Sequence, residues 1–120
     1  MLFDATQQSL ELGLEGSSLR QRALAQNMAN INTPGYKRVD VDFHAQLRKM
    51  MANNTSEEII QPDFHIDHPP SNSAVRVDGN TVDIDQESAQ VAENALEYQG
   101  YTSLLATRRR MLLDTMRLTG

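Results

Sequence analysis

The chain has 120 residues, a net charge of −5 and a mean hydropathy of −0.51. This length fits one domain, the acidic balance supplies no overall positive field for nucleic acid, and no stretch approaches the roughly 20 apolar residues of a membrane helix. Cysteine is absent, which excludes disulfides, thiolate metal sites and cysteine nucleophiles, and the apolar residues are mainly Leu, Ala, Val and Met, which suit helix faces better than a bulky globular centre.

Met1-Leu2-Phe3-Asp4 has neither a basic n-region nor an apolar h-region, so it does not read as a cleavable secretory signal. The expectation is a cytoplasmic protein or one exported by a dedicated machine. A first helix is predicted from about Asp4 to Ile31. Phe3, Leu10, Leu14, Ser17, Leu24, Met28 and Ile31 fall on one alternating three-and-four spacing that also passes through Gln7 and Gln21. Leu12 and Leu19 widen that stripe, while Gly13 and Gly16 weaken the helix and mark a soft point. Asn32-Thr33-Pro34-Gly35 ends it: Pro34 disfavours helical geometry at Thr33, and Gly35 tolerates positive φ. Val39, Val41 and Phe43 then alternate with Asp40 and Asp42, which predicts a short extended segment.

From about Met50 to Ser73 the chain is polar and rich in Pro, Asn and Ser, and reads as a long, mobile loop. Val75 and Val77 lead into Asp78-Gly79-Asn80, and Val82 and Ile84 lead out, which predicts a small β-hairpin. A second, longer helix is predicted from about Ile84 to Leu118, roughly 50 Å long. Asp83 is its N-cap, with Gln86 completing a capping-box-like pair. Its stripe runs through Ile84, Ser88, Val91, Ala95, Tyr98, Thr102, Leu105, Arg109, Leu112 and Met116.

The expected fold is therefore mostly α. It has an N-terminal helix and a long C-terminal helix in an elongated helical hairpin or coiled-coil-like unit, an irregular middle loop and a small β-hairpin. One structural unit divides into residues 1–49 (helix, turn, extended segment), 50–82 (variable loop and hairpin) and 83–120 (long helix). There is no internal repeat.

Residues that carry chemistry elsewhere have plainer explanations here. His65 and His68, in Asp63-Phe64-His65-Ile66-Asp67-His68, place four metal-ligand types in six residues, but they sit in a polar loop with no further His or Cys following. Asp83, Asp85 and Glu87 lack the glycine of a calcium loop and read as helix capping. Arg108-Arg109-Arg110 reads as a solvated helix end complementing its dipole, without the interleaved aromatics of a nucleic-acid surface. No Gly-x-Ser-x-Gly elbow and no phosphate-cradling glycine loop occurs. Neither an enzyme site, a cofactor nor a metal is expected.

Leu24-Ala25-Gln26-Asn27-Met28-Ala29-Asn30-Ile31-Asn32-Thr33-Pro34-Gly35-Tyr36-Lys37 closely resembles the N-terminal signature of the flagellar rod, hook and related axial proteins. Asn27, Ala29, Asn30, Thr33, Pro34, Gly35 and Tyr36 carry the match. Arg38-Val39-Asp40-Val41-Asp42-Phe43 resembles the continuation found in proximal rod members of that family. So does Asp78-Gly79-Asn80-Thr81-Val82-Asp83-Ile84-Asp85, with Glu93-Asn94 and Tyr98 after it. The resemblance covers nearly the whole chain apart from about residues 50–73.

The resemblance implies a structural subunit of the bacterial flagellar basal-body rod, in the periplasm, exported by the flagellar type III apparatus without a cleaved signal. It implies that the terminal helix stripes pack on neighbouring subunits, with Leu10, Leu14, Leu24, Met28, Ile31, Val91, Tyr98, Leu105, Leu112 and Met116 as interface residues. The implied partners are other rod proteins (FlgC-like and distal rod subunits), a FliE-like adaptor and copies of itself, with no membrane insertion of its own. A soluble helical adaptor or regulator linked to flagellar export is the alternative.

Overall fold

A computed structural model describes residues 4–54, 59–70 and 75–119 of the chain. Three helices account for most of it: α1 (Ala5–Ala29), α2 (Phe43–Asn53) and α3 (Ile84–Thr119). Asp4 caps α1, its carboxylate accepting the Gln7 amide at 2.8 Å. At 36 residues, α3 is about 54 Å long, and the described residues extend over 66 × 28 × 17 Å.

α1 and α3 lie antiparallel. The N-terminal end of α3 meets the C-terminal end of α1 through Glu87 and Asn27 (3.2 Å), Asn94 meets Ser17 midway (2.8 Å), and Arg108 pairs with Asp4 at the start of α1. The expected helical hairpin is thus present, but α3 is turned relative to the expected stripe. The line facing α1 runs through Glu87, Asn94, Tyr101 and Arg108, whereas Ser88, Ala95, Thr102 and Arg109 face outward. Hydrogen bonds explain the rotation: Glu87, Asn94 and Arg108 each have a polar partner on or beside α1, which sequence periodicity of apolar residues cannot register.

The apolar core is small. Ala23, Val39, Val41 and Phe43 form its buried cluster, with Leu19, Phe64 and Tyr101 packed against it. Val39 and Val41 lie extended, as their alternation predicts, but Phe43 opens α2 instead of ending a strand. The Asp42 side chain accepts the Ala45 amide at 3.4 Å, which makes it the N-cap that turns the alternating pattern into a helix. Gly13 and Gly16 are close-approach positions and not soft points: α1 continues unbroken through both. A Cβ on Gly13 would overlap the Tyr101 ring, and one on Gly16 would lie 2.8 Å from Phe43 Cβ.

The expected β-hairpin is absent: no strand forms among the described residues, and the one bridge pairs Asp40 with Asp67. Asp78-Gly79 does make a tight turn, Gly79 donating to Arg76 O at 2.8 Å and Arg76 to Asn80 O at 3.2 Å. The chain leaving it is drawn elsewhere. Thr81 N donates to Tyr36 O at 3.0 Å and Ile84 already begins α3, so Val75 and Val77 have no strand to pair with and remain exposed.

In the middle region, residues 59–70 are irregular but held. Gln46 brackets the His65 backbone (3.0 and 3.1 Å), Ile60 N donates to Gln8 Oε1 at 2.7 Å, and Phe64 enters the core. Met1, Leu2, Phe3 and, within the predicted loop, residues 55–58 and 71–73 lie outside the described residues.

Gly16→Ala tests the close packing. Intrinsic propensity favours Ala in a helix by up to about 1 kcal/mol. Here the added methyl must displace the fully buried Phe43, and overpacking costs about 1–3 kcal/mol. The expected outcome is a lower urea midpoint; a higher one would contradict the Gly16–Phe43 contact.

Candidate functional site

The turn after α1 is built from the helix outward. Asn30 ends α1, its side chain donating to Gln26 O at 2.8 Å, and Thr33 bonds the Asn30 side chain at 3.1 Å and its carbonyl at 3.0 Å. Ala29 and Pro34 are exposed. Gly35 has φ 73°, a conformation that side chains with a Cβ rarely adopt, so the turn requires glycine there. Its amide donates to Asp78 O at 2.7 Å.

Asn27 is the centre of this site. It lies on the last turns of α1, fully buried, and its amide imitates a strand partner for the extended segment. Its Nδ2 donates to Val39 O at 2.7 Å, and its Oδ1 accepts from Val39 N at 2.8 Å and from the Tyr36 hydroxyl at 3.1 Å. Burial pushes the Tyr36 hydroxyl above its ordinary range, so it stays a donor. Asn27 Nδ2 also reaches Glu87 on α3.

Glu87 is almost completely buried and its other oxygen binds Arg38 Nε at 2.6 Å. Arg38 also contacts Asp40 (3.3 Å) and Gln90 (3.1 Å), and Arg20 joins Asp40 at 2.9 Å. Burial alone would depress the Arg38 guanidinium, but the Glu87 hydrogen bond and charge, with Asp40, more than offset this and hold it above its usual value. Glu87 is therefore not a cap, as its place in the first turn suggests. Asp83 does that work, accepting the Asp85 and Gln86 amides at 3.0 and 3.4 Å.

Asn80 closes the site from the far side. Fully buried, its Nδ2 donates to three carbonyls at the end of α1, those of Asn30 (3.0 Å), Ile31 (3.1 Å) and Thr33 (2.8 Å), while its Oδ1 accepts Val82 N at 2.8 Å. Two of these carbonyls also take an amide of the turn itself, Asn30 O from Thr33 N and Thr33 O from Tyr36 N, so Asn80 braces the turn that ends α1 from up to 50 residues away. Arg76 adds a bond to Ile31 O at 2.6 Å and pairs with Asp78 at 3.0 Å. Gly79, at φ 81°, lies so close that a Cβ would sit 3.4 Å from Gly35 Cα.

The structure thus gathers Asn27, Asn30, Thr33, Gly35 and Tyr36 into one clasp and adds Arg38, Asn80 and Glu87, which sequence reasoning left without these roles; Asn94 ties α3 to Ser17 and Gln21 farther back along α1. The signal for Asn80 was present, since a short amide side chain after Asp-Gly suits backbone bonding, but it read as hairpin chemistry. The stripe residues are not gathered in one place. Leu24 is fully buried within the chain; Leu10, Leu14, Met28, Ile31, Val91, Leu105 and Leu112 are partly buried; Tyr98 and Met116 are exposed. His65 lies 3.6 Å from Asp67 and His68 is exposed. Among the described residues no group of three or more metal-ligand side chains converges, and no helix is long and apolar enough to cross a membrane.

No family model matches the chain. It is similar to the flagellar basal body rod protein FlgB of Salmonella typhimurium, with 32% identity over 95% of this chain and 94% of the relative. It is similar to FlgB of Escherichia coli K12 to the same extent, and to FlgB of Bacillus subtilis with 32% identity over 82% of each chain.

Two outcomes check the clasp. Asn80→Asp removes the donors to three carbonyls and sets a charge among them; it should lower unfolding free energy by about 1–3 kcal/mol or more, and by more than Asn80→Ala. Equal stability of Asn80→Asp and the parent would contradict this brace. Asp78 is held below the ordinary 3.8, first by the Arg76 hydrogen bond and then by the Asn80 amide. Its contribution is therefore complete above the unfolded value and lost as pH falls through the lower folded one. Asp78→Asn should be less stable than the parent at neutral pH, with the difference shrinking below about pH 4. A difference that grows on acidification would reverse the assignment.

Proposed function

The chain belongs to the FlgB family of flagellar basal body rod proteins and is a structural subunit of that rod, and from this premise we propose that it is built into the proximal rod through its terminal helices. The observation that carries the reading is the coincidence of signature and structure. Five of the seven residues that match the axial-protein signature, Asn27, Asn30, Thr33, Gly35 and Tyr36, take part in the contacts that weld the end of α1 to the start of α3. They serve no chemistry on a small molecule; they fix two helices and one turn in a set geometry, as a mechanical part requires.

In this reading the partners are other rod proteins of FlgC-like and distal type, a FliE-like adaptor and further copies of the chain. The rod crosses the periplasm, and the subunit reaches it through the flagellar type III export apparatus without a cleaved signal. The role is non-enzymatic. The interface is drawn from the stripe residues Leu10, Leu14, Leu24, Met28, Ile31, Val91, Tyr98, Leu105, Leu112 and Met116. The intramolecular packing already buries Leu24, so the contribution to a neighbour falls mainly on the exposed Tyr98 and Met116. The exposed Leu96, Leu104, Met111, Leu113 and Leu118 of α3 support the reading, because a helix apolar on several faces is one that neighbours cover.

Deletion of the gene should abolish motility and leave basal bodies without a rod in electron micrographs; normal basal bodies in the deletion strain would exclude the reading. Complementation with Tyr98→Asp or Met116→Asp should leave secretion of the subunit intact but fail to restore motility. Full motility of both variants would remove these residues from the interface.

A further inference from the structure

Asp78-Gly79 is the only Asp-Gly step in the chain, and no Asn-Gly step occurs. In an open chain an Asp-Gly step is chemically unstable. The glycine nitrogen attacks the protonated side-chain carboxyl, water leaves, and a five-membered succinimide forms. Water then opens the ring at either carbonyl. One opening returns the aspartate, and the other leaves an isoaspartate, whose main chain runs through the side-chain carbons. One water is lost and one regained, so mass and oxidation state do not change. Glycine favours the reaction because its backbone rotates freely and no Cβ blocks the approach.

Burial does not protect this step, since Asp78 is exposed to solvent. Hydrogen bonds hold it instead. Asp78 Oδ1 accepts the Asn80 amide and Oδ2 accepts Arg76, both at 3.0 Å, which fixes the side chain. The same bonds keep the carboxylate ionised, the form that does not expel water. The Asp78 carbonyl accepts the Gly35 amide at 2.7 Å, and Gly79 N is committed to Arg76 O at 2.8 Å, which fixes the peptide between them. Ring closure needs rotation about both the Asp78 side chain and its Cα–C bond. It therefore needs the turn to open.

We propose that Asp78-Gly79 is a latent isoaspartate site that the closed clasp protects, and that isomerisation there prevents the clasp from closing. In the isomerised chain the carbonyl that accepted the Gly35 amide is a free carboxylate, and the main chain into Gly79 is one carbon longer. Gly79 packs directly on Gly35, with no space beside it for added length. Asn80, the next residue, is then displaced from the three carbonyls of the turn after α1. The step is a covalent mark on chains that stay open, or reopen, for long; chains that fold promptly escape it.

The full-length chain is aged near neutral pH, folded in one sample and in urea in another, and then digested. Isoaspartate is read with an isoaspartate methyltransferase and a labelled methyl donor, and located as a peptide of unchanged mass and altered retention. The expected result is isoaspartate at Asp78 in urea, forming about tenfold or more slowly in the folded chain because only the opened fraction reacts. No isoaspartate at Asp78 in urea overturns the site, and equal rates in the two samples overturn the protection. Arg76→Gln removes one carboxylate partner at an exposed position. It should speed the reaction in the folded chain, with helicity by circular dichroism unchanged; a rate no faster than the parent's overturns the role of the carboxylate bonds. Asp78→Glu, too long to close the five-membered ring, should give no signal at this position in urea; a signal there would overturn the assignment to Asp78. Finally, isomerised and unreacted chains are separated from the same urea sample and refolded. The isomerised chain should have the lower urea midpoint, and equal midpoints would overturn the effect on the clasp.

Discussion

A buried asparagine and a buried glutamate hold this molecule together. Asn27 on α1 and Glu87 on α3 meet at 3.2 Å with no access to water, and Arg38 completes the set from the segment between them. Placing such groups inside a protein is unfavourable unless every one of them is bonded. Here the bonds are made: Asn27 engages both polar groups of Val39, and each Glu87 oxygen has a donor. Removing one partner from a buried charged pair typically costs about 3–5 kcal/mol. With seven buried apolar residues among the described ones, four of them in one cluster, the apolar core is small and the buried polar contacts help decide which arrangement of the helices is the stable one.

This constraint gives the subunit two unlike ends. At one, the signature turn, the Asp78–Thr81 segment and the start of α3 are tied by short bonds to a single brace, Asn80. At the other, α3 runs on past Asp4 with apolar and basic residues exposed. Under the proposed incorporation into a polymer, the end of α3 that is exposed among the described residues is the one left for a neighbour. The two glycines of α1 serve the same geometry, letting the Tyr101 and Phe43 rings approach its backbone so that the helices pack closely around a small core.

The long helices and the turn between them were legible because they rest on local physics: apolar spacing, the Asp83 cap, and a Pro-Gly stop that the structure realises with Gly35 in the left-handed region. Three features were not. α2 was hidden because Val39, Val41 and Phe43 alternate as a strand does, and only the Asp42 cap marks the change. The hairpin expected at Asp78-Gly79 failed because Thr81 and Asn80 bond the distant Tyr36 and the end of α1 in preference to a neighbouring strand. The rotation of α3 was invisible because the residues that set it, Glu87, Asn94 and Arg108, are polar, and periodicity arguments treat polar residues as solvent-facing. The clasp shares this character: its buried members Asn27, Arg38, Asn80 and Glu87 are polar and lie up to 60 residues apart in the chain.

If the polar clasp is the element on which the fold depends, its amides should open only when the whole molecule unfolds. Native-state hydrogen exchange of Val39 and Val82, whose amides are held by the side chains of Asn27 and Asn80, measures this directly. The account predicts that both exchange with the free energy of global unfolding and follow it as denaturant is added. Exchange of either amide through a low-energy local opening, while α1 and α3 remain protected, would contradict it.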